Sequence, residues 1–135
     1  MFRKLFILTL ATSLLLTIAC PKNVEFSGKD ADMMNAAKQI AELINDQYSS
    51  STEYPNSLAE LKQSVPAGKI WPVNPYNGKE IADTGSREFD PNKSVGMVYY
   101  EKIFRDEQQV NYNLHVFGEK GKLYIIGNTA MGAKE

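Results

Sequence analysis

The sequence predicts an α+β fold: one long amphipathic N-terminal helix packed on a C-terminal antiparallel sheet of three strands, or four. Three observations predict it. Apolar residues recur at helical spacing from Met33 to Tyr48. Alternating β-branched and aromatic residues fill most of Val95 to Ile126. The helical segments all precede the extended ones, which is the α+β order rather than the alternating order of a parallel sheet. The helix carries one apolar stripe and the sheet one apolar face, so each buries the other. A length of 135 residues is enough for one such domain. With 43% apolar and 23% charged residues, neither a disordered chain nor a multi-span membrane protein fits.

The chain opens with Met-Phe-Arg-Lys and an uncharged, Leu-rich run from Phe6 to Leu16, followed by Thr17-Ile18-Ala19-Cys20. The run is too short for a membrane span, which needs about 20 residues. A positive start, a short apolar core and a small residue before the cut are the marks of a signal peptide over residues 1–19. The Ala19-Cys20 junction resembles the lipobox of bacterial lipoproteins. That resemblance implies cleavage between Ala19 and Cys20 and lipid on the Cys20 sulfur and amino group. Cys20 is the single cysteine of the chain, so no internal disulfide forms. Each buried methylene contributes about 0.8 kcal/mol, and two or more chains anchor stably. The expected address is the bacterial cell envelope. Pro21 stands where enterobacterial sorting would use Asp to retain a lipoprotein, which implies the outer membrane, facing the periplasm.

Residues 20–29 read as a lipidated tether, with Pro21, Asn23, Ser27 and Gly28 around two isolated hydrophobes. The folded domain is expected over 30–127. Asp30 or Asp32 caps the long helix, whose stripe is Met33, Ala37, Ile40, Ile44 and Tyr48, widened by Ala41 and Leu43. Ser49 to Thr52 ends it. Tyr54-Pro55 leads into a short helix with a capping-box pattern, Ser57-Leu58-Ala59-Glu60. Residues 66–94 are turn-rich, and Trp71, Tyr76 and Phe89 are the expected ties of this long connection. Val95 to Ile103 forms the first strand. Val110, Tyr112, Leu114 and Val116 alternate with Asn111, Asn113, His115 and Phe117 in the second. Gly118 to Gly121 makes a hairpin loop, and Leu123 to Ile126 the third strand. Of the strand tyrosines Tyr99, Tyr100, Tyr112 and Tyr124, at least half belong to the core. Residues 128–135 read as a flexible tail.

Three segments in this order carry a second resemblance: Ala36-Ala37-Lys38-Gln39-Ile40; Tyr54-Pro55-Asn56-Ser57-Leu58; and Trp71-Pro72-Val73-Asn74-Pro75-Tyr76-Asn77-Gly78, ahead of Val98-Tyr99-Tyr100. Over about residues 33–127 they resemble the globular domain of type IV pilin-like proteins, nearest the major pseudopilin of type II secretion. The family's peptidase-cut junction, its Glu and its long apolar half-helix are missing, so the resemblance implies the domain's shape and not entry into a filament. The pseudopilin's calcium loop has no counterpart, and no metal site is carried over.

The candidate chemistry is sparse. His115, the only histidine, lacks visible partners and reads as a surface residue beside Asn111 and Asn113. Trp71 and Tyr76 are a candidate contact surface; the simpler reading is that they plug the loop onto the sheet edge. Glu101, Arg105, Asp106 and Glu107 read as a solvated charged cluster. No catalytic triad order, phosphate loop or zinc spacing occurs, so no cofactor is expected beyond the covalent lipid. Net charge is −1, and after loss of Arg3 and Lys4 becomes −3, with 13 basic against 16 acidic residues. That balance gives no electrostatic reason to bind nucleic acid. The expected function is that of a non-enzymatic membrane-anchored scaffold or protein-binding module, with a protein partner in the envelope and a kinship to secretion or pilus-type systems. The alternative is an enzyme or small-ligand binder with its site in residues 66–94, in which Arg87 converges with Asp83, Glu88 or Asp90.

Overall fold

The computed structural model describes residues 25–127. The expected signal peptide, the Ala19-Cys20 junction, the first part of the tether and the C-terminal tail lie outside the described residues. The described chain runs α1 (Gly28–Ser51), α2 (Leu58–Gln63), β1 (Val98–Arg105), β2 (Gln108–Phe117) and β3 (Lys122–Gly127). The strands form one antiparallel sheet in the order β1-β2-β3, and α1 lies against β2 and β3.

Helix α1 begins earlier than its acidic residues suggest. Ser27 flanks its start without a side-chain cap bond. Asp30 sits inside the first turn, and its carboxylate accepts a hydrogen bond from the Tyr76 hydroxyl. The expected cap is thus recruited by the connection 46 residues later. Phe26 packs against the core, so the folded unit reaches back beyond the expected boundary at residue 30. Four of the five predicted stripe residues, Met33, Ala37, Ile40 and Ile44, are fully buried, but Tyr48, the fifth, is 41% exposed near the end of the helix. Met34, Ala36, Ala41 and Leu43 widen the stripe to about half the helix circumference. Thr52 ends the helix in the left-handed region, its N–H on Tyr48 O at 2.8 Å.

Helix α2 is capped as expected, Ser57 Oγ accepting from the Glu60 amide at 3.1 Å. The Glu60 carboxylate does not return to the cap. It accepts from Asn56 Nδ2 at 3.1 Å. Leu58 and Leu61 point into the core.

The sheet registers Val98 on Val116, Tyr100 on Leu114 and Lys102 on Tyr112. The pairing shifts after Ile103, leaving Val110 as the extra residue of a bulge. Asp106 and Glu107, both at positive φ, make the two-residue turn between β1 and β2. Among the described residues no fourth strand forms, and an isolated parallel bridge joins Asp83 to Val98.

The second sheet face differs from the expectation. His115 is only 4% exposed and Phe117 is fully buried, although both fall on the face read as solvated. The segment between the Asp83 bridge and β1 accounts for this. Phe89 lies 6.0 Å from the Phe117 ring, and Arg87 pairs with Glu101 on the same face. The sheet is therefore covered on both faces, by α1 on one and by this segment on the other.

Candidate functional site

The two ends of the molecule are chemically different, and α1 sets their separation. A helix of 24 residues spans about 36 Å at 1.5 Å per residue. At its N-terminal end lie the chain entry, the Gly118–Gly121 hairpin and the Tyr76 turn. At its C-terminal end lies the β1–β2 hairpin. The second placement follows from three long-range ties. Tyr112 OH donates toward Asn45 Oδ1 at 2.9 Å. Tyr100 OH donates to Pro55 O at 3.0 Å, and Lys102 Nζ to Asn56 O at 3.0 Å.

The C-terminal end exposes apolar surface on an ordered base. Tyr48 is 41% exposed, Phe104 56% and Val110 42%. Tyr48 stacks on the buried Tyr54 at 4.3 Å, and Tyr54 meets the Tyr112 ring edge-on at 5.7 Å. Tyr112 in turn lies 5.8 Å from Tyr100. Burial pushes both Tyr100 and Tyr112 up to about 12, so these hydroxyls stay protonated donors. Val110 is the extra residue of the bulge, and Phe104 is the last residue but one of β1.

The sheet's far face holds a polar cluster. His115 Nε2 lies 2.8 Å from Glu101 Oε2, which also accepts from Asn113 Nδ2 at 3.2 Å. Arg87 closes on the other Glu101 oxygen. An ionised carboxylate only accepts, so the His115 proton facing it sits on Nε2. Nδ1 is buried with no hydrogen-bond partner. Glu101 is held below the usual carboxylate range, first by the His115 hydrogen bond, with Asn113 and the Arg87 charge adding to it against burial. A carboxylate with a lowered folded pKa contributes stability that is present above its unfolded value, about 4.3, and lost as pH falls through the folded one. The stability gap between wild type and Glu101→Gln is therefore expected to be full at neutral pH and to close below about pH 4. Melting temperatures across that range test it; a gap that widens on acidification contradicts the assignment.

The expected contact pair divides. Trp71 is only 8% exposed, with its indole N–H on Ile81 O at 2.9 Å, so it pins the connection instead of presenting a surface. Tyr76 is half-buried and tied to Asp30. Burial, then the Asp30 hydrogen bond, raise its hydroxyl well above the usual value. Arg87 engages Glu101 and does not build the expected cluster with Asp83, Glu88 or Asp90. His115 and Glu101, read as surface groups, form a nearly buried pair. The signal available for that was parity, since both lie on the Tyr99 face of adjacent strands.

Two larger concavities are open to solvent. A groove of about 560 Å³ runs between α1 and α2 past Leu43, Asp46, Ser50, Glu60, Leu61 and Val65. A cleft of about 660 Å³ at the opposite end is lined by Lys29, Tyr76, Asn77, Lys79, Lys93 and Glu119, among others. Among the described residues, no group of three or more His, Cys, Asp or Glu is placed to hold a metal ion. None of the described helices is long and apolar enough to cross a membrane. Comparison with protein-family models, curated proteins and solved structures finds no match to this chain.

Proposed function

We propose that this chain is a lipid-anchored lipoprotein of the bacterial cell envelope, non-enzymatic, whose pilin-like domain binds a protein partner. The observation that carries the reading is the exposed Tyr48, Phe104 and Val110 surface, at the end of α1 away from the chain entry. Aromatic side chains on a rigid base are the common anchors of protein contacts. Stacking on Tyr54 fixes Tyr48 in advance, so little rotamer freedom is lost when a partner covers it. An anchor at Cys20 holds the other end at the bilayer and directs this one into the aqueous space. The helix, the three-stranded meander and the Asn74-to-Gly78 turn support a pseudopilin-like shape. Kinship to a secretion or pilus-type machine is an analogy of shape, and function rests on the surface.

One experiment in cells tests both halves. A photo-crosslinking residue at Phe104 is expected to give an adduct of one defined mass that Val110→Asp reduces at least about tenfold, the size of an anchor-residue loss. The same residue at Lys79, on the other end, gives no such adduct. Cys20→Ser is expected to move the chain from the membrane pellet to the soluble fraction. Pelleting that survives Cys20→Ser rejects the anchor, and identical adducts from both positions reject the contact surface.

A further inference from the structure

We infer that the cleft at the N-terminal end of α1 seats the phosphate of an anionic lipid headgroup, so that the domain stands on the membrane in a fixed orientation. The inference rests on the lipid-anchor reading above and adds to it a second, electrostatic attachment. Three lysines line the cleft from three separate segments: Lys29 from the first turn of α1, Lys79 from the turn after Tyr76, and Lys93 from the connection before β1. Glu119 is the one acid among them, which leaves a local charge of +2 on a chain whose total is −1. Asn77 and Asn92 lie in the same cleft as neutral amide donors. A neighbouring concavity shares Glu119 and is lined by Lys120 and Lys122 against Glu119 and Asp30, so it is neutral overall and the basic surface is the cleft itself. The Asp30 carboxylate there is engaged by the Tyr76 hydroxyl, which draws its negative charge toward the turn.

The placement of the cleft selects the ligand. Seven residues separate Cys20 from Gly28, and the eight steps between their Cα atoms span no more than about 29 Å in any conformation. A flexible chain of that length averages about 16 Å. Lys29 follows Gly28 directly, so lipid on Cys20 confines the cleft to within about 29 Å of the headgroups and lets it reach them. Surface potentials fall off within a Debye length, about 8 Å at physiological ionic strength. Only groups at the surface feel them, and the lysines of the cleft are what would bring this end of the tethered domain there. Each lysine near an anionic surface strengthens attachment about fivefold. Tyr48, 19 residues beyond Lys29 on α1, then stands about 29 Å away along the helix axis.

The test uses the full native lipidated chain in vesicles of phosphatidylcholine or of phosphatidylglycerol, with lysine acetylation read by mass spectrometry. Acetylation of Lys29, Lys79 and Lys93 is expected to be at least about fivefold slower on phosphatidylglycerol, and to recover in 0.5 M salt. Lys69 and Lys102, away from the cleft, keep one rate on both vesicles. Equal rates for all lysines on both vesicles, in protein whose mass shows lipid on Cys20, overturn the headgroup site and leave the anchor standing. Protein that carries no lipid mass removes the anchor and this inference together. A further arm holds the same protein in neutral detergent with millimolar inorganic phosphate. Protection there equal to that on phosphatidylglycerol makes the cleft a free-phosphate site and overturns the membrane assignment.

Discussion

Gly96→Ala is expected to lose roughly 3–8 kcal/mol of stability, the larger of two effects singled out by the core. Two causes add. Gly96 has a φ of +67°, where a side chain costs about 1–2 kcal/mol. A Cβ built there would also coincide with the side-chain amide of Asn74. That amide has nowhere to go. Asn74 is fully buried, donating from Nδ2 to Val95 O at 2.9 Å and accepting the Tyr76 N–H at 2.9 Å on Oδ1. Moving it strands two partly buried backbone partners at about 1–3 kcal/mol each. A domain of this size has only about 5–15 kcal/mol in total. The melting midpoint should fall by at least about 15 °C. Gly85→Ala is the control: φ is +73°, yet nothing lies within 4 Å of the added carbon. It should cost only the backbone share, about 1–2 kcal/mol. Equal losses from the two substitutions would show that the Asn74 clash is relieved at no expense.

That knot also shows what a sequence can and cannot disclose. The α1 stripe was legible because its determinants lie within one element: Met33, Ala37, Ile40 and Ile44 repeat at the helical period and all are buried. The Ser57 cap and the Gly118–Gly121 hairpin were legible for the same reason. Tyr100 and Tyr112 are core, Tyr99 half-buried and Tyr124 exposed, as the alternation allows. His115 was misplaced because alternation reports which face a residue is on, not what covers that face. The cover comes from Arg87 and Phe89, in a connection with no period of its own. Tyr76 reached Asp30 across 46 residues for the same kind of reason, which no local cap rule anticipates. Of the candidate contact residues, Trp71 followed the simpler reading and became a pin. The surface at Tyr48, Phe104 and Val110 left no local signal. Its members are scattered along the chain, and it is the ties of Tyr112 to Asn45 and of Tyr100 and Lys102 to Pro55 and Asn56 that bring the β1–β2 hairpin to the Tyr48 end of α1. The proposed lipid anchor is the converse case: it rests on the sequence from Arg3 to Cys20 alone, outside the described residues.

Tyr112→Ala should cost about 3–5 kcal/mol, while Tyr112→Phe should cost about 1. The contrast decides what joins α1 to the sheet. Tyr112 is fully buried, packed on Tyr54 and Tyr100, with its hydroxyl reaching Asn45 Oδ1 and, at 3.4 Å, Ala41 O. Removing the ring opens a cavity between layers that cannot close without shifting α1 on β2. Removing only the hydroxyl leaves Asn45 on an exposed position, where water replaces the bond. Urea unfolding separates the two: the midpoint shifts differently while the slope stays constant. A Phe variant as unstable as Ala would make the hydrogen bond, not the packing, the main tie. The consequence reaches the surface as well. Tyr48 is seated on Tyr54, and Tyr54 on Tyr112, so the alanine variant removes the base of the exposed aromatic end. Crosslinking from Phe104 should weaken in Tyr112→Ala even at temperatures where the domain remains folded, and stay near wild type in Tyr112→Phe. Undiminished crosslinking in the alanine variant would mean the partner grips the β1–β2 hairpin alone, without Tyr48.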